Sequence, residues 1–272
     1  MSLIAYLLWG VFWVVSPMQN VTAQAPKTNS ATSNWKLIWR EEFNNFKGKI
    51  DTDKWQPARR GGSDWNNYMS RKGSLYKVSN GTIKLMGVVN KDKSKDKAAY
   101  LTAGLITKDK FSFKYGKIQI RAKFKSAKGA WPALWMLGTN RKKGGWPYIG
   151  EIDLMEHLNY ENQVYQTVHS YYTVKQGGKN KPQSHLPTKI DHTKFNTYGM
   201  EWDKDKIIFL VNGKPTLTYP KQTYRGKYQW PFDDPMYILL TMQIEGNWVG
   251  KANPKDYPAW MEVDWVRVWQ KK

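Results

Sequence analysis

The 272-residue chain contains no cysteine. This excludes disulfide scaffolds, thiol catalysis, cysteine-ligated zinc, iron–sulfur clusters and lipid attachment through an N-terminal cysteine. Histidine is scarce, and His157, His185 and His192 show no metal-ligand spacing. Acids are scarce too: 22 Asp and Glu against 43 Lys and Arg leave a formal charge of +21. That excess points to an anionic partner, with nucleic acid among the classes to weigh. No apolar run reaches the roughly 20 residues that span a bilayer as a helix. There is no internal repeat and no second composition regime, so one domain is expected. What the chain does have is aromatics: 15 Trp, 16 Tyr and 9 Phe. With 40% hydrophobic residues it is too apolar for a disordered chain. Flat aromatic faces suit both protein cores and sugar rings.

The longest apolar run is Leu3–Val15, followed by Val21, Thr22 and Ala23, small residues of the kind a signal peptidase reads. Residues 1–23 are therefore expected to be a cleaved export signal, although no Lys or Arg precedes the run. A buried N-terminal helix is the alternative. Residues 24–34 are polar and rich in Thr, Ser and Asn, and read as a linker. The folded domain is expected over 35–272, exported to the periplasm or the exterior, monomeric and without a membrane anchor.

Beyond Trp35 no long segment keeps helical periodicity, and period-two stretches recur instead. From Lys117 to Lys125, Ile118, Ile120, Ala122 and Phe124 take one face and the polar residues take the other. Asn212-Gly213 reads as the turn of a hairpin, and Asn80-Gly81 precedes another strand. The chain ends in an alternating strand from Met261 to Trp269. The prediction is an all-β sandwich or barrel. The run Lys91–Lys97 reads as a solvated charged loop.

The scarce acids cluster at Glu151, Asp153 and Glu156. On a helix, at about 100° per residue, Glu151 and Glu156 would lie about 140° apart and share no site. On a strand, Glu151 and Asp153 share a face but Glu156 has the wrong parity. One β-bulge between Asp153 and Glu156 repairs this. The two glutamate carboxyls then approach to about 5–6 Å, near the spacing of a retaining glycosidase. One would attack the anomeric carbon and the other would protonate the leaving oxygen. Asp153 would orient the nucleophile and supply negative charge that keeps the acid protonated. A solvated acidic strand is the alternative, and the interleaved Ile152, Leu154 and Met155 argue against it. Trp131, Trp135 and Trp146 flank the motif and could stack on sugars, although an isolated Trp is more often core. His169, on the expected next strand, is placed either to hydrogen-bond a carboxylate or to serve structure.

These residues resemble glycoside hydrolase family 16. Glu151, Asp153 and Glu156 match its bulged Glu-x-Asp-x-x-Glu motif. Gly129, Trp131, Pro132, Ala133 and Trp135 match its flanking pattern, as do Trp146, Pro147, Gly150, Val168 and His169. Glu41-Glu42-Phe43 and Asp264–Val268 match its terminal strands. The similarity runs from about Trp35 to Gln270. It implies a β-jelly-roll sandwich of two antiparallel sheets with an open concave cleft, and endo-acting, retaining hydrolysis of β-linked polysaccharides. It assigns Glu151 as nucleophile, Asp153 as its helper and Glu156 as acid/base. The chemistry needs no cofactor. Some members carry a structural calcium, for which Glu42, Gly81 and Asp264 would be the places to look.

Several positions depart from the laminarinase-like branch. Asp64–Tyr68 lacks an expected Glu, Leu105 stands where an Arg is usual, and Glu245 stands before Gly246 and Trp248 where Gly is frequent. The segment from Ser170 to Thr193 is long and carries Lys175, Lys179, Lys181 and Lys189. Glu245 and Trp248 join the Trp residues and His169 as candidate substrate contacts. These departures favour a galactose-containing chain of the agar, carrageenan, keratan or mucin type over a plain glucan. A β-1,3- or mixed-linkage glucanase is the alternative within enzymes. A non-catalytic carbohydrate-binding protein is the alternative outside them. Nucleic acid is not expected as a partner, because no recognition helix or zinc spacing accompanies the charge.

Overall fold

The structure is a computed structural model that describes residues 34–44 and 48–272. The expected signal and all of the expected linker except Asn34 lie outside the described residues. Residues 34–272 form one compact unit.

The strands in chain order begin with β1 (Trp35–Glu41), β2 (Gln56–Pro57), β3 (Tyr76–Ser79), β4 (Thr82–Val89), β5 (Tyr100–Thr102) and β6 (Gly104–Ile106). Next come β7 (Gly116–Lys125), β8 (Ala130–Gly138), β9 (Glu151–Glu156), β10 (Gln163–His169) and β11 (His185–Lys189). The last are β12 (Asn196–Trp202), β13 (Lys206–Val211), β14 (Lys214–Pro220), β15 (Met236–Ile244) and β16 (Ala259–Lys271). One short helix, α1 (Tyr171–Lys175), follows β10. It carries a capping box in which Ser170 and Thr173 each accept the other's backbone N–H.

The strands form two antiparallel sheets, the two layers of a jelly-roll sandwich. One runs β14-β13-β12-β7-β16-β4-β3, with β1 beside β16 and β5 beside β4. The other runs β11-β10-β9-β8-β15-β6-β2. Strict alternation explains β7: Ile118, Ile120, Ala122 and Phe124 are buried while Lys117, Gln119, Arg121 and Lys123 are half-buried. Both asparagine–glycine pairs make the tight turns their residues favour. Asn212 and Gly213 join β13 to β14 at φ 52° and 76°, and Asn80 and Gly81 join β3 to β4 at 50° and 71°. In the charged run, Asp96 is clamped by Arg60 through two hydrogen bonds of 2.7 Å.

The main core fills the space between the sheets. From the second sheet it takes Leu134, Met136, Ile152, Leu154, Met155, Ile238 and Leu240. A smaller cluster lies on the opposite face of that sheet: Ala133, Trp135, Tyr237 and Leu239, with Trp65 packed on it. That face forms the floor of the cleft.

Glu42 and Asp264 are each engaged by a guanidinium. Arg267 holds both oxygens of Glu42 at 2.8 Å, and Arg121 pairs with Asp264.

Candidate active site

Register places the acids. Across β8 and β10, Glu151 faces Leu137 and His169, and Asp153 faces Trp135 and Thr167. The register then slips, and Glu156 faces Ala133 and Tyr165. Met155 faces Leu134 while Leu154 is skipped, so the bulge lies at Leu154–Met155. Both of these side chains enter the core. The extra residue is what returns Glu156 to the cleft face. Three rows of side chains therefore cross the floor, each led by one acid.

The cleft encloses about 830 Å³. Trp131, Trp135, Trp146 and Trp248 line it with the three acids and His169. The four tryptophans differ in what they offer. Trp146 is 50% exposed and stands at 59° to the His169 ring, 6.2 Å away. Trp248 is 45% exposed and meets Trp131 edge-on at 5.7 Å. Trp131 donates its indole N–H to Glu156 Oε1 at 3.0 Å. Trp135 is only 4% exposed, and its N–H is spent on Thr241 Oγ1 at 2.9 Å. Trp135 is floor packing against Trp65 rather than an open platform.

Glu245 is not brought to the cleft lining. Its oxygens accept the Tyr68 hydroxyl at 2.8 Å and the Ala252 N–H at 3.1 Å. With φ at 61°, it turns the chain so that Asn247 and Trp248 reach the cleft. Leu105 is likewise no cleft residue: it is fully buried in the main core.

Burial dominates the electrostatics. All three carboxyls are raised, by desolvation first. The charge of Glu156 adds to the rise of Glu151 and Asp153, and the Trp146 indole opposes it at Glu151. The Trp131 bond opposes it at Glu156, which still reaches about 7. Asp153 goes well above the usual range, and its buried Oδ2 has no hydrogen-bond partner among the described residues. Burial, with the charges of Glu156 and Glu151 added, pushes Asp153 towards its neutral form. His169 Nε2 lies 3.4 Å from Asp153 Oδ2 and 3.8 Å from Glu151 Oε1. Burial, then His185 and Lys179, push His169 down to about 4, so its ring is neutral. Ligand atoms of Glu151, Asp153 and His169 all lie within 4.8 Å of one another, which makes these the residues placed to hold a cation.

Sequence reasoning missed Asp64, Trp65, Tyr165, Thr167, Lys179, His185, Gln243 and Asn247 as lining residues. Tyr165 and Thr167 were accessible in principle, because they share the parity of His169. The loop residues carried no such signal. Asp64 is held by the Asn247 N–H at 2.7 Å, a contact across nearly the whole domain sequence. Within Ser170–Thr193, only Lys179 among the four noted lysines lines the cleft.

Comparisons agree with this geometry. The model of glycosyl hydrolases family 16 matches residues 65–267. A keratan-sulfate endo-1,4-beta-galactosidase of Sphingobacterium multivorum is 37% identical over 258 residues, covering 94% of this chain and 60% of that protein. A beta-glucanase of Rhodothermus marinus is 31% identical over 251 residues, covering 87% of this chain and 85% of that protein. The laminarinase catalytic domain of Thermotoga maritima has a TM-score of 0.75 at 30% identity, covering 88% of this chain and 99% of that one. The chain spans less than two thirds of the length of the first of these relatives.

Proposed function

Because this chain belongs to glycosyl hydrolases family 16, we propose that it hydrolyses internal β-glycosidic bonds of a galactose-containing, sulfated polysaccharide with retention of configuration. The observation that carries the reaction is the bulge, which puts Glu151, Asp153 and Glu156 on one cleft face. Glu151 attacks the anomeric carbon as the glycosidic C–O bond breaks, and Glu156 gives its proton to the leaving oxygen. Glu156 then takes a proton from water, which attacks the same carbon and releases Glu151. Glu156 is fitted to begin protonated, because burial holds it up to about 7. Part of the rise at Glu151 comes from the charge of Glu156. Burial holds Glu151 higher still, at about 8, so the assignment of Glu151 as nucleophile and Glu156 as acid rests on their places in the family motif and not on their titration. Asp153 lies between the two glutamates on the cleft face, with His169 Nε2 3.4 Å from its Oδ2. Trp146 and Trp248 present the accessible faces for sugar rings. No metal takes part in these steps.

The substrate class rests on two supports. One is the 37% identity to a keratan-sulfate endo-galactosidase, against 31% to a beta-glucanase. The other is Lys179 beside His185 at the cleft, a cation within reach of a sulfated sugar. A β-1,3-glucanase is the second reading, favoured by the match to laminarinase folds. The protein is further proposed to act after export, as a monomer.

Glu151→Gln and Glu156→Gln should each lower turnover by about two to four orders of magnitude while substrate binding persists. Unchanged turnover in either would overturn the mechanism. Products followed by NMR should appear first as the β anomer. The substrate test is a screen of keratan sulfate, carrageenan, agarose, laminarin and cereal glucan. Hydrolysis of the glucans alone would select the second reading.

A further inference from the structure

A second groove opens between the 139–150 loop, the start of α1 and the 221–233 segment, and encloses about 560 Å³. It is separate from the acid cluster but adjoins the cleft through two stretches of chain. Trp146 faces the cleft while Tyr148 lines the groove, and His169 faces the cleft while Tyr171 lines the groove.

Its chemistry is basic and aromatic. Tyr148 stacks on Tyr171 with ring centroids 4.4 Å apart, and Tyr228 meets both, at 5.7 Å and 5.0 Å. The charges around these rings are not all spent. Lys221 pairs with Asp233 at 3.0 Å, and Lys143 pairs with Asp234. Lys142 and Lys227 are exposed, and among the described residues neither has a carboxylate within salt-bridge distance. The one acid lining the groove, Asp233, is already held by Lys221, the Tyr115 hydroxyl and the Trp230 indole N–H. Lys227 Nζ lies 5.1 Å from the centroid of the Tyr228 ring. An incoming anion therefore meets two ammonium groups without a carboxylate partner and one satisfied carboxylate. Cations without a carboxylate partner beside aromatic rings suit a sugar that carries sulfate: ammonium for the anion, ring for the C–H faces.

We propose that this groove is an accessory binding site for an anionic segment of a sulfated polysaccharide. The proposal rests on the sulfated-glycan reading of the cleft. A chain lying in the cleft would continue past Trp146 to Tyr148, so the groove would hold the polymer while the cleft cuts it. Its contribution is to affinity for long sulfated chains and not to the bond-breaking step.

The test compares the wild type with Lys142→Ala/Lys227→Ala in native gels containing keratan sulfate or chemically desulfated keratan. Neither lysine touches the core or the acids, so folding is preserved and a melting curve checks it. The double variant should bind keratan sulfate about five- to tenfold more weakly, the combined size of two exposed charge contacts. Retardation by the desulfated polymer and turnover of a short neutral oligosaccharide should not change. Equal affinity of variant and wild type for keratan sulfate would overturn the proposal. So would an equal loss on both polymers, or complete displacement of keratan sulfate by a neutral oligosaccharide that fills the cleft. If the wild type hydrolyses no polymer at all, the cleft reading fails, while the binding comparison still decides the groove.

Discussion

Trp131 and burial act on the Glu156 proton in opposite directions. Desolvation favours the neutral acid, while the indole N–H at 3.0 Å favours the carboxylate, and desolvation wins. Trp131→Phe keeps an aromatic ring and removes the donor. The acid should then rise further, and the alkaline limb of kcat/KM should move up by about half a unit to one unit. A limb that stays put or moves down would deny the bond this role. The same raised acid carries a cost in stability. Its folded pKa lies above its unfolded value, so the folded state binds more protons between the two. Stability is then full below about pH 4.5 and declines as pH rises through about 7. Glu156→Gln removes this dependence. It should be more stable than the wild type at pH 9 by about 1–3 kcal/mol, with the gap closing towards pH 5. Urea melts at both pH values give the answer. A gap independent of pH would mean the acid is not raised. Asp153 was legible in the sequence as part of the motif, but the upward shift of its carboxyl was not, because that depends on burial supplied by strands remote in sequence.

At the scale of the element, β9 shows what parity can and cannot reveal. The i, i+2, i+5 spacing of the acids required one extra residue, and its place between Asp153 and Glu156 could be read from the sequence. The rows across the sheet could not be read, because they depend on the pairing of β9 with β8 and β10. Tyr165 and Thr167 entered the site that way. Glu245 shows the converse: its side chain was expected in the cleft, but a left-handed backbone turns both oxygens to Tyr68 and Ala252. If the bulge serves only parity, it is dispensable. Deleting Met155 leaves the acids at i, i+2 and i+4 on a regular strand, still on one face. Met155→Ala keeps the bulge and loses the same buried side chain, so both variants should be destabilised by about 2–4 kcal/mol. The deletion should keep turnover within about a hundredfold of Met155→Ala, the cost of roughly ångström-scale misplacement. A far larger loss would show that the bulge also sets the spacing of the acids along the strand.

For the whole molecule, the charge of +21 is the quantity to explain. Much of the acid complement is committed internally, as Glu42 is to Arg267, Asp96 to Arg60 and Asp233 to Lys221. The excess lysines therefore set the field outside the protein. Composition alone allowed that field to serve nucleic acid, and the cleft gives it a sugar polymer instead. Such a field gathers an anionic polymer from a distance but adds nothing once the glycosidic bond is seated. It should therefore raise kcat/KM through binding and leave kcat alone. Salt separates the two effects, because the Debye length shrinks from about 30 Å at 0.01 M to about 8 Å at 0.15 M. Across that range KM for keratan sulfate should rise about tenfold or more while kcat holds, as screening removes long-range attraction. KM for a neutral oligosaccharide should not move. A KM for keratan sulfate that is as flat with salt as that of the neutral substrate would leave the basic charge without a role in substrate capture. It would also shift the weight of the substrate reading towards a neutral glucan, because the field would then have no anion to collect.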